Sequence, residues 1–333
     1  MNNEQSTISV IVSSYHTTLE ALLCTLESVI TQKNIIFDII IADDGSEKQF
    51  SEELRSYFKQ RDFTNYYIVE ATENVGTVRN LLRALTHAKG TYIKGIGAGD
   101  CLYDEYALAD IVSFMDQNRY KIGFGLIQGF QKKESSLTPF IWHSPKDISP
   151  YRSENMKALR YNMVVYEDYI SGSCLFYEKE YFKKQLRAIE GTVIYCEDFL
   201  QVLTTLEHEK IGFLDRFVIY YEVGTGISTK RVMKKLDNRV TADTVNLNLY
   251  LKNNYSDDLV TERLRKRAVI DGMAAKIYYG FKNLPFYIRK TIYKKKDKPE
   301  HADLNFLESA TNRAASICET LPSACSPKES TTL

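Results

Sequence analysis

Acidic side chains recur in this sequence where apolar runs give way to turns, and their placement is the first indication of chemistry. Asp43 and Asp44 stand in Ile40-Ile-Ala-Asp-Asp-Gly-Ser46, Asp100 closes Gly97-Ala-Gly-Asp100, and Glu197-Asp198 follows Tyr195-Cys196. A carboxylate at a strand end can accept the imide N–H of uracil or grip a ribose, and Asp43 or Asp44 is placed to do so. A hard carboxylate can hold the divalent cation that offsets the charge of a departing diphosphate, and Asp100 is the candidate ligand. A buried acid near an acceptor hydroxyl can take its proton, which Glu197-Asp198 supplies at a predicted helix start. Taken one at a time, ordinary turn chemistry explains these residues, since Asp, Gly and Ser are common turn formers. Their repetition at successive strand ends shifts that balance.

The elements that must position them alternate short β-branched runs with amphipathic stretches, the pattern of βαβ units around a largely parallel sheet. Ile8–Val12 is a predicted strand, followed by a helix carrying Leu19, Leu22, Leu23, Leu26, Val29 and Ile30 at helical spacing, with Thr17 or Thr18 as its N-cap. Phe37–Ile41, Tyr66–Val69 and Thr91–Ile96 are the next strands, separated by helices near 51–59 and through Arg79, Leu82 and Leu85. In open α/β sheets ligands gather beyond the carboxyl ends of the strands, where Ser13–Tyr15, Asp43–Ser46 and Gly97–Asp100 fall. A helix is predicted near 103–116. Residues 131–160 show little periodicity and contain the single Trp142, so a loop or short helices over a pocket is expected there. Order is predicted to return with Tyr169–Phe176, a helix opening in 195–203, and a last strand at Arg216–Tyr221.

Composition excludes several classes. A hydrophobic fraction of 44% with 23 Tyr and 16 Phe is incompatible with disorder. No apolar run reaches the ~18 residues of a membrane span, and the start lacks the pattern of a secretory leader, so a cytoplasmic location is expected. The six cysteines show no CxxC pair, so they are expected as thiols with no zinc site. Net charge is zero, yet residues 231–298 hold 17 Lys and Arg against 7 Asp and Glu. Two helices are predicted there, at 231–252 and 259–283. The second combines Arg263, Arg265, Lys266 and Arg267 with Ile270, Met273, Ile277, Tyr278 and Phe281, a mixture suited to lying on an anionic membrane, as is the Lys294–Lys296 run, although the charge asymmetry reads equally well as a solvated helical face. Beyond 299 the Ser, Thr, Ala and Pro content predicts a weakly ordered tail.

With these stretches in place, the sequence resembles family 2 glycosyltransferases of the GT-A fold, especially bacterial enzymes of surface polysaccharide assembly (capsule, O-antigen or exopolysaccharide). The resemblance covers about residues 6–229. It rests on Ser9-Val-Ile-Val-Ser-Ser-Tyr15, Ile40–Ser46, Asn74-Val-Gly-Thr-Val-Arg-Asn80, Gly97–Asp100, Ser171-Gly-Ser-Cys174, Cys196–Asp198 and Tyr221-Glu-Val-Gly-Thr-Gly-Ile-Ser-Thr229 in that order. It implies a Rossmann-like mixed sheet flanked by helices in 1–229, to which the composition adds a basic helical extension in 230–298 and the tail in 299–333. It further implies inverting transfer from a nucleoside diphosphate sugar, a UDP-sugar foremost, to a glycan or lipid-linked hydroxyl. By position, Ser13 and Tyr15 would flank the base, Asp43 would hydrogen-bond it with Asp44 assisting, and Arg79 would lie near base or diphosphate; read without the resemblance, Arg79 would form a helix-surface ion pair and Asp198 an N-cap. Gly76 and Gly99 belong to the same nucleotide-sugar set, as does Ser228 in a loop that closes over the diphosphate. Asp198 resembles the catalytic base, with Glu197 beside it.

One departure stands out. Where the family commonly carries Asp-x-Asp, this chain has Gly97-Ala-Gly-Asp100, leaving Asp100 alone to hold Mn²⁺ or Mg²⁺ together with substrate phosphates and water. The reduced motif is the one support for a rival reading as a catalytically silent nucleotide-sugar-binding subunit, against which Glu197-Asp198 stands. A nicotinamide-dependent oxidoreductase lacks its glycine fingerprint after the first strand, where Ser13-Ser-Tyr15 occurs instead. No nucleic-acid motif accompanies the basic segment, so no nucleic-acid partner is expected.

Overall fold

The computed structural model describes residues 6–133, 136–140, 142–224, 238–268, 273–296 and 303–321. At its centre lies β1 (Ile8–Ser14), an apolar run buried on both faces, as expected of a strand covered by helices on either side. The chain leaves β1 and enters α1 (Leu19–Ile30), whose first turn is capped by Thr18 Oγ1 accepting the Ala21 N–H at 3.2 Å. Leu19, Leu22, Leu23, Leu26 and Val29 form the buried face of α1, each burial contributing about 1.5–3 kcal/mol. β2 (Phe37–Asp43), α2 (Ser51–Gln60), β3 (Tyr66–Glu70), α3 (Thr77–Leu85) and β4 (Tyr92–Gly97) follow. β2 and β4 pair with β1 from opposite sides and β3 with β2, all parallel, so the four carboxyl ends share one edge. The strand and helix expectations for residues 8–97 hold.

The second half makes the sheet mixed. β5 (Cys101–Leu102), α4 (Ala107–Asn118), β6 (Ile122–Lys133), β7 (Ser136–Phe140), α5 (Ser149–Arg152), α6 (Met156–Val164), β8 (Leu175–Glu178), α7 (Lys179–Ile189), α8 (Leu200–Leu206) and β9 (Ile211–Glu222) complete it. Strand order among the described residues is β3-β2-β1-β4-β8-β6-β9-β5, with β7 on β6. β8 runs antiparallel to β4 and β6, whereas β9 runs parallel to β6. The loop or short helices expected over 131–160 are in part a β-hairpin, β6 with β7, followed by the short helices α5 and α6. Glycines at 123, 125 and 129 hide β6 from periodicity; a Cβ at Gly123 or Gly125 would meet Phe176 or Val218 at 2.4 Å.

The extension is helical, as expected, but divided differently: α9 (Asn238–Asn254), α10 (Asp258–Ala268), α11 (Met273–Lys282) and α12 (Leu284–Lys296). Three of the four basic residues assigned above to an anionic surface turn inward. Arg263 is fully buried and donates to the Val164 carbonyl, Lys266 donates to the Val165 carbonyl, and Arg267 forms two bonds of 2.6 and 2.7 Å with Glu167. These groups bind the free carbonyls and the carboxylate at the end of α6. The weakly ordered tail is likewise corrected, because α13 (Asn305–Cys318) packs on α1. Its low hydrophobicity misleads. Ala310 and Ala314, buried with Leu307, are small enough for close helix approach, and Arg313 Nε reaches buried Glu27 at 2.7 Å. Among the described residues no helix is long and apolar enough to cross a membrane.

Candidate active site

The sheet edge where β1, β2 and β4 end opens into a cavity of about 770 Å³, within the range of small-molecule sites. Ser13 to Thr18 form one wall, Asp44 with Asn74, Thr77 and Asn80 another, and Gly97 to Asp100 a third. The ends of β6 and β9 add Lys132, Tyr221 and Glu222, while α9 and α13 add Arg239 and Thr311. The C-terminal helices are thus part of the cavity wall.

Asp43 and Asp44 have separate tasks because neighbouring residues at a strand end point to different sides. Asp43 is consumed internally: it accepts from Ser14 Oγ at 2.9 Å, Ser46 N at 2.8 Å and Ser46 Oγ at 2.7 Å, and it does not line the cavity. Asp44 does. Its two oxygens accept the N–H groups of Val75 at 2.9 Å and Gly76 at 3.0 Å, which fixes the carboxylate while leaving further lone pairs. Burial pushes its pKa upward against the pull of those two donors. Gly76, at φ +85°, has no room for a side chain, since a Cβ would lie 2.3 Å from Ile194 Cγ2. Ser13 and Tyr15 both line the cavity, as expected, with Tyr15 well exposed at 42%.

Arg79 is not brought to this site. It lies on the outer face of α3, with 60% of its side chain exposed and Nε 3.8 Å from Glu190 Oε1. Ser228 lies outside the described residues.

Asp100 sits where it was expected, at the carboxyl end of β4. Gly99 is in the left-handed region at φ +104°, and Thr25 Oγ1 ties the turn by accepting from Gly99 N and donating to Asp100 O. Asp100 Oδ1 accepts the Glu222 N–H at 3.0 Å. Burial pushes its pKa up to about 7, resisted by that N–H and by Lys94. Two neighbours escaped the sequence reading. Lys94 is fully buried in β4, donates to the carbonyls of Gly95 and Ser173, and is pulled down to about 8 by burial. Glu222 contributes a second carboxylate from β9; an ideal Cβ on Gly99 would stand 3.1 Å from its Oε2. Hard oxygens from Asp100 and Glu222 are the donor chemistry that suits Mg²⁺ or Mn²⁺. Among the described residues no group of three His, Cys, Asp or Glu could hold a metal ion, so substrate phosphates and water would have to complete its shell.

Glu197 and Asp198 form a short 3-10 turn leading into α8, next to the cavity wall at Tyr195 but not lining the cavity. Burial raises both carboxyl pKa values, and the negative charge of Asp198 raises Glu197 further. The Gly172 N–H favours the ionised form of Asp198 against that burial. Gly172 also makes space for Glu197, whose Oε1 would lie 2.5 Å from a Cβ at that position. The segment before the pair is held from the extension. Asp243 of α9, buried, accepts from the N–H groups of Ile194 at 3.0 Å, Tyr195 at 2.7 Å and Cys196 at 2.9 Å. No local sequence signal marks Asp243, which is 45 residues from Asp198.

The family model "Glycosyl transferase family 2" matches residues 9–186, more than half of the chain. The chain belongs to glycosyl transferase family 2. This glycosyltransferase resembles solved structures of S. aureus TarS 1-349. It is 15% identical to the UDP complex over 93% of this chain and 83% of that one, with a TM-score of 0.50. It is 15% identical to the UDP-GlcNAc complex over 95% and 82%, with a TM-score of 0.51. At that identity the likeness is one of fold. The glycosyltransferase spans 44% of the longer TarS chain. No curated protein matches it. The helix-flanked mixed sheet is the GT-A arrangement that the motifs imply.

Proposed function

We propose that this glycosyltransferase moves a sugar from a UDP-sugar to a hydroxyl of a glycan or lipid-linked acceptor, with inversion, in bacterial surface polysaccharide synthesis at the inner face of the cell membrane. The observation that carries the reading is the placement of two cavity carboxylates on either side of β1. Asp44 follows β2 and Asp100 follows β4, which puts them about two strand spacings apart, ~10 Å, across one cavity. That separation suits a nucleoside held at one end and its diphosphate at the other. The TarS complexes with UDP and UDP-GlcNAc support the same donor class.

Asp44, fixed by Val75 and Gly76, accepts the base imide N–H, and Tyr15 covers the base from the cavity mouth. A divalent cation, when bound, supplies charge to the leaving diphosphate, with Asp100 and Glu222 as its protein ligands. Lys132 and Arg239 add cationic side chains to the wall. Asp198 removes the acceptor proton, and its raised pKa suits that exchange near neutral pH. A single base acting from the acceptor side, with no nucleophile on the sugar, gives inversion.

The test is release of UDP from a panel of UDP-sugars with Mn²⁺, for the wild type and Asp198→Asn. Turnover of one donor, reduced roughly 10²–10⁴-fold in Asp198→Asn, is expected. Binding of UDP-sugars without turnover under any acceptor condition would instead establish a silent binding subunit.

A further inference from the structure

α12 turns polar groups toward the protein and an apolar row away from it, and the described end of α11 continues that row. A helix resting on a globular core ordinarily turns its apolar stripe inward and its charges outward. Here the inward positions are Asn283 and Phe286, both buried, with Phe286 against Tyr166 at 4.8 Å, and Arg289, whose Nε meets Asp147 Oδ2 at 2.7 Å. Lys282 likewise pairs with Glu262. The outward positions are Ile277, Tyr278 and Phe281 on α11 and Leu284, Tyr287, Ile288 and Ile292 on α12, all about half exposed or more and Phe281 75% exposed. On α12 they recur at i, i+3, i+4 and i+8, the spacing of one helical face. An exposed patch of this continuity marks an interaction surface.

Charge selects the occupant. Residues 273–296 contain seven Lys and Arg and no Asp or Glu. A second copy would oppose two segments of like net charge, whereas an anionic bilayer offers acyl chains to the aliphatic and aromatic row and negative headgroups to a segment that carries no acidic residue. At 10 and 13 residues the helices are too short to span a bilayer, for which about 20 are needed, and fit a position in its interface. Arg263, Lys266 and Arg267 of α10 are bound inward and add no charge to this face.

We infer that the outward face of α11 and α12 docks this enzyme on an anionic lipid bilayer, with Phe281 and Ile288 among the inserted side chains. The inference deepens the reading of a membrane-borne acceptor and rests on it for its purpose, although the contact itself is independent of turnover.

Co-sedimentation of the full chain with vesicles tests it, using phosphatidylcholine alone and phosphatidylcholine mixed with phosphatidylglycerol. The comparison sets the wild type against the double variant Phe281→Asp/Ile288→Asp and against Ile36→Asp, an exposed apolar site elsewhere. Wild type and Ile36→Asp should sediment with the anionic vesicles only, and the double variant should bind them at least ~10-fold more weakly. Calorimetric UDP binding unchanged in the double variant shows that it is folded and keeps the donor question separate. Absence of sedimentation with either vesicle, equal sedimentation of the double variant, or equal binding to both vesicles would each overturn the inference. So would a wild-type dimer that the double variant dissolves without any lipid binding.

Discussion

Replacing Asp243 by Asn removes the charge that holds three consecutive N–H groups just ahead of Glu197 and the proposed base Asp198. Hydrogen bonds to a charged acceptor are worth about 1.5–3 kcal/mol each. Asn keeps one oxygen as a neutral acceptor and turns an NH₂ group toward the N–H donors. The segment should therefore lose about 2–4 kcal/mol of local restraint. A displacement of about 1 Å in a catalytic group can cost ~10²-fold in rate, so kcat should fall by about that factor. Asp44, Tyr15 and Asp100 sit on other elements, so UDP binding should stay within about threefold, well under 1 kcal/mol. The pH profile supplies a readout that loosened packing alone would not move. The negative charge of Asp243 raises the pKa of Asp198, so its removal should shift the acid limb of kcat/KM to lower pH. UDP-release kinetics across pH, together with calorimetric UDP binding, check this. Unchanged kcat, or a loss of UDP binding as large as the loss of kcat, would refute the positioning role.

Gly172→Ala places a methyl 2.5 Å from Glu197 Oε1, so Glu197 must move; kcat should fall at least ~10-fold with UDP affinity retained, by the same two assays. Asp100→Asn should stabilise the metal-free protein. The folded pKa of Asp100, about 7, lies above its unfolded value, so wild-type stability is lost as pH rises from about 4 through 7. The variant escapes that loss, and thermal melts in chelator should show its advantage growing from pH 5 to pH 8, to on the order of 2–4 kcal/mol. A melting difference that is constant with pH would contradict it. Glu27→Gln withdraws the buried charge shared by Tyr57, Arg61 and Arg313. Because both arginines are about one third exposed and can rehydrate, the cost should be about 2–3 kcal/mol, below that of a fully buried broken pair. Amide exchange should show α13 losing protection before α1.

The parallel half of the fold was legible because each of its strands is a short apolar run between turn signals, as in Ile8–Val12 and Phe37–Ile41. β6 was not, since its glycines serve close packing that only the partner strands reveal. α13 was missed for a related reason: Ala310 and Ala314 look like tail composition until α1 is laid against them. At the site, the strand-end carboxylates announced themselves, and Asp44, Asp100, Ser13 and Tyr15 do line one cavity. Which of Asp43 and Asp44 faces that cavity depends on the direction of a side chain. Arg79 shows the converse, for the stretch matches the family while the side chain pairs with Glu190 on the outer surface. Lys94 and Asp243 act across long sequence distances, and no local pattern signals a charge buried by tertiary packing; Glu222 stood inside the matching stretch Tyr221–Thr229, but its approach to Asp100 needs β9 laid beside the end of β4.

Calorimetric titration of UDP with Mn²⁺ into the wild type, Asp44→Asn and Arg79→Ala tests the central claim most directly. The account predicts binding by the wild type and by Arg79→Ala with equal affinity, and at least ~10-fold weaker binding by Asp44→Asn, which is a loss of about 1.4 kcal/mol. No binding by the wild type, or binding that Arg79→Ala abolishes and Asp44→Asn leaves intact, would contradict a nucleotide site in this cavity.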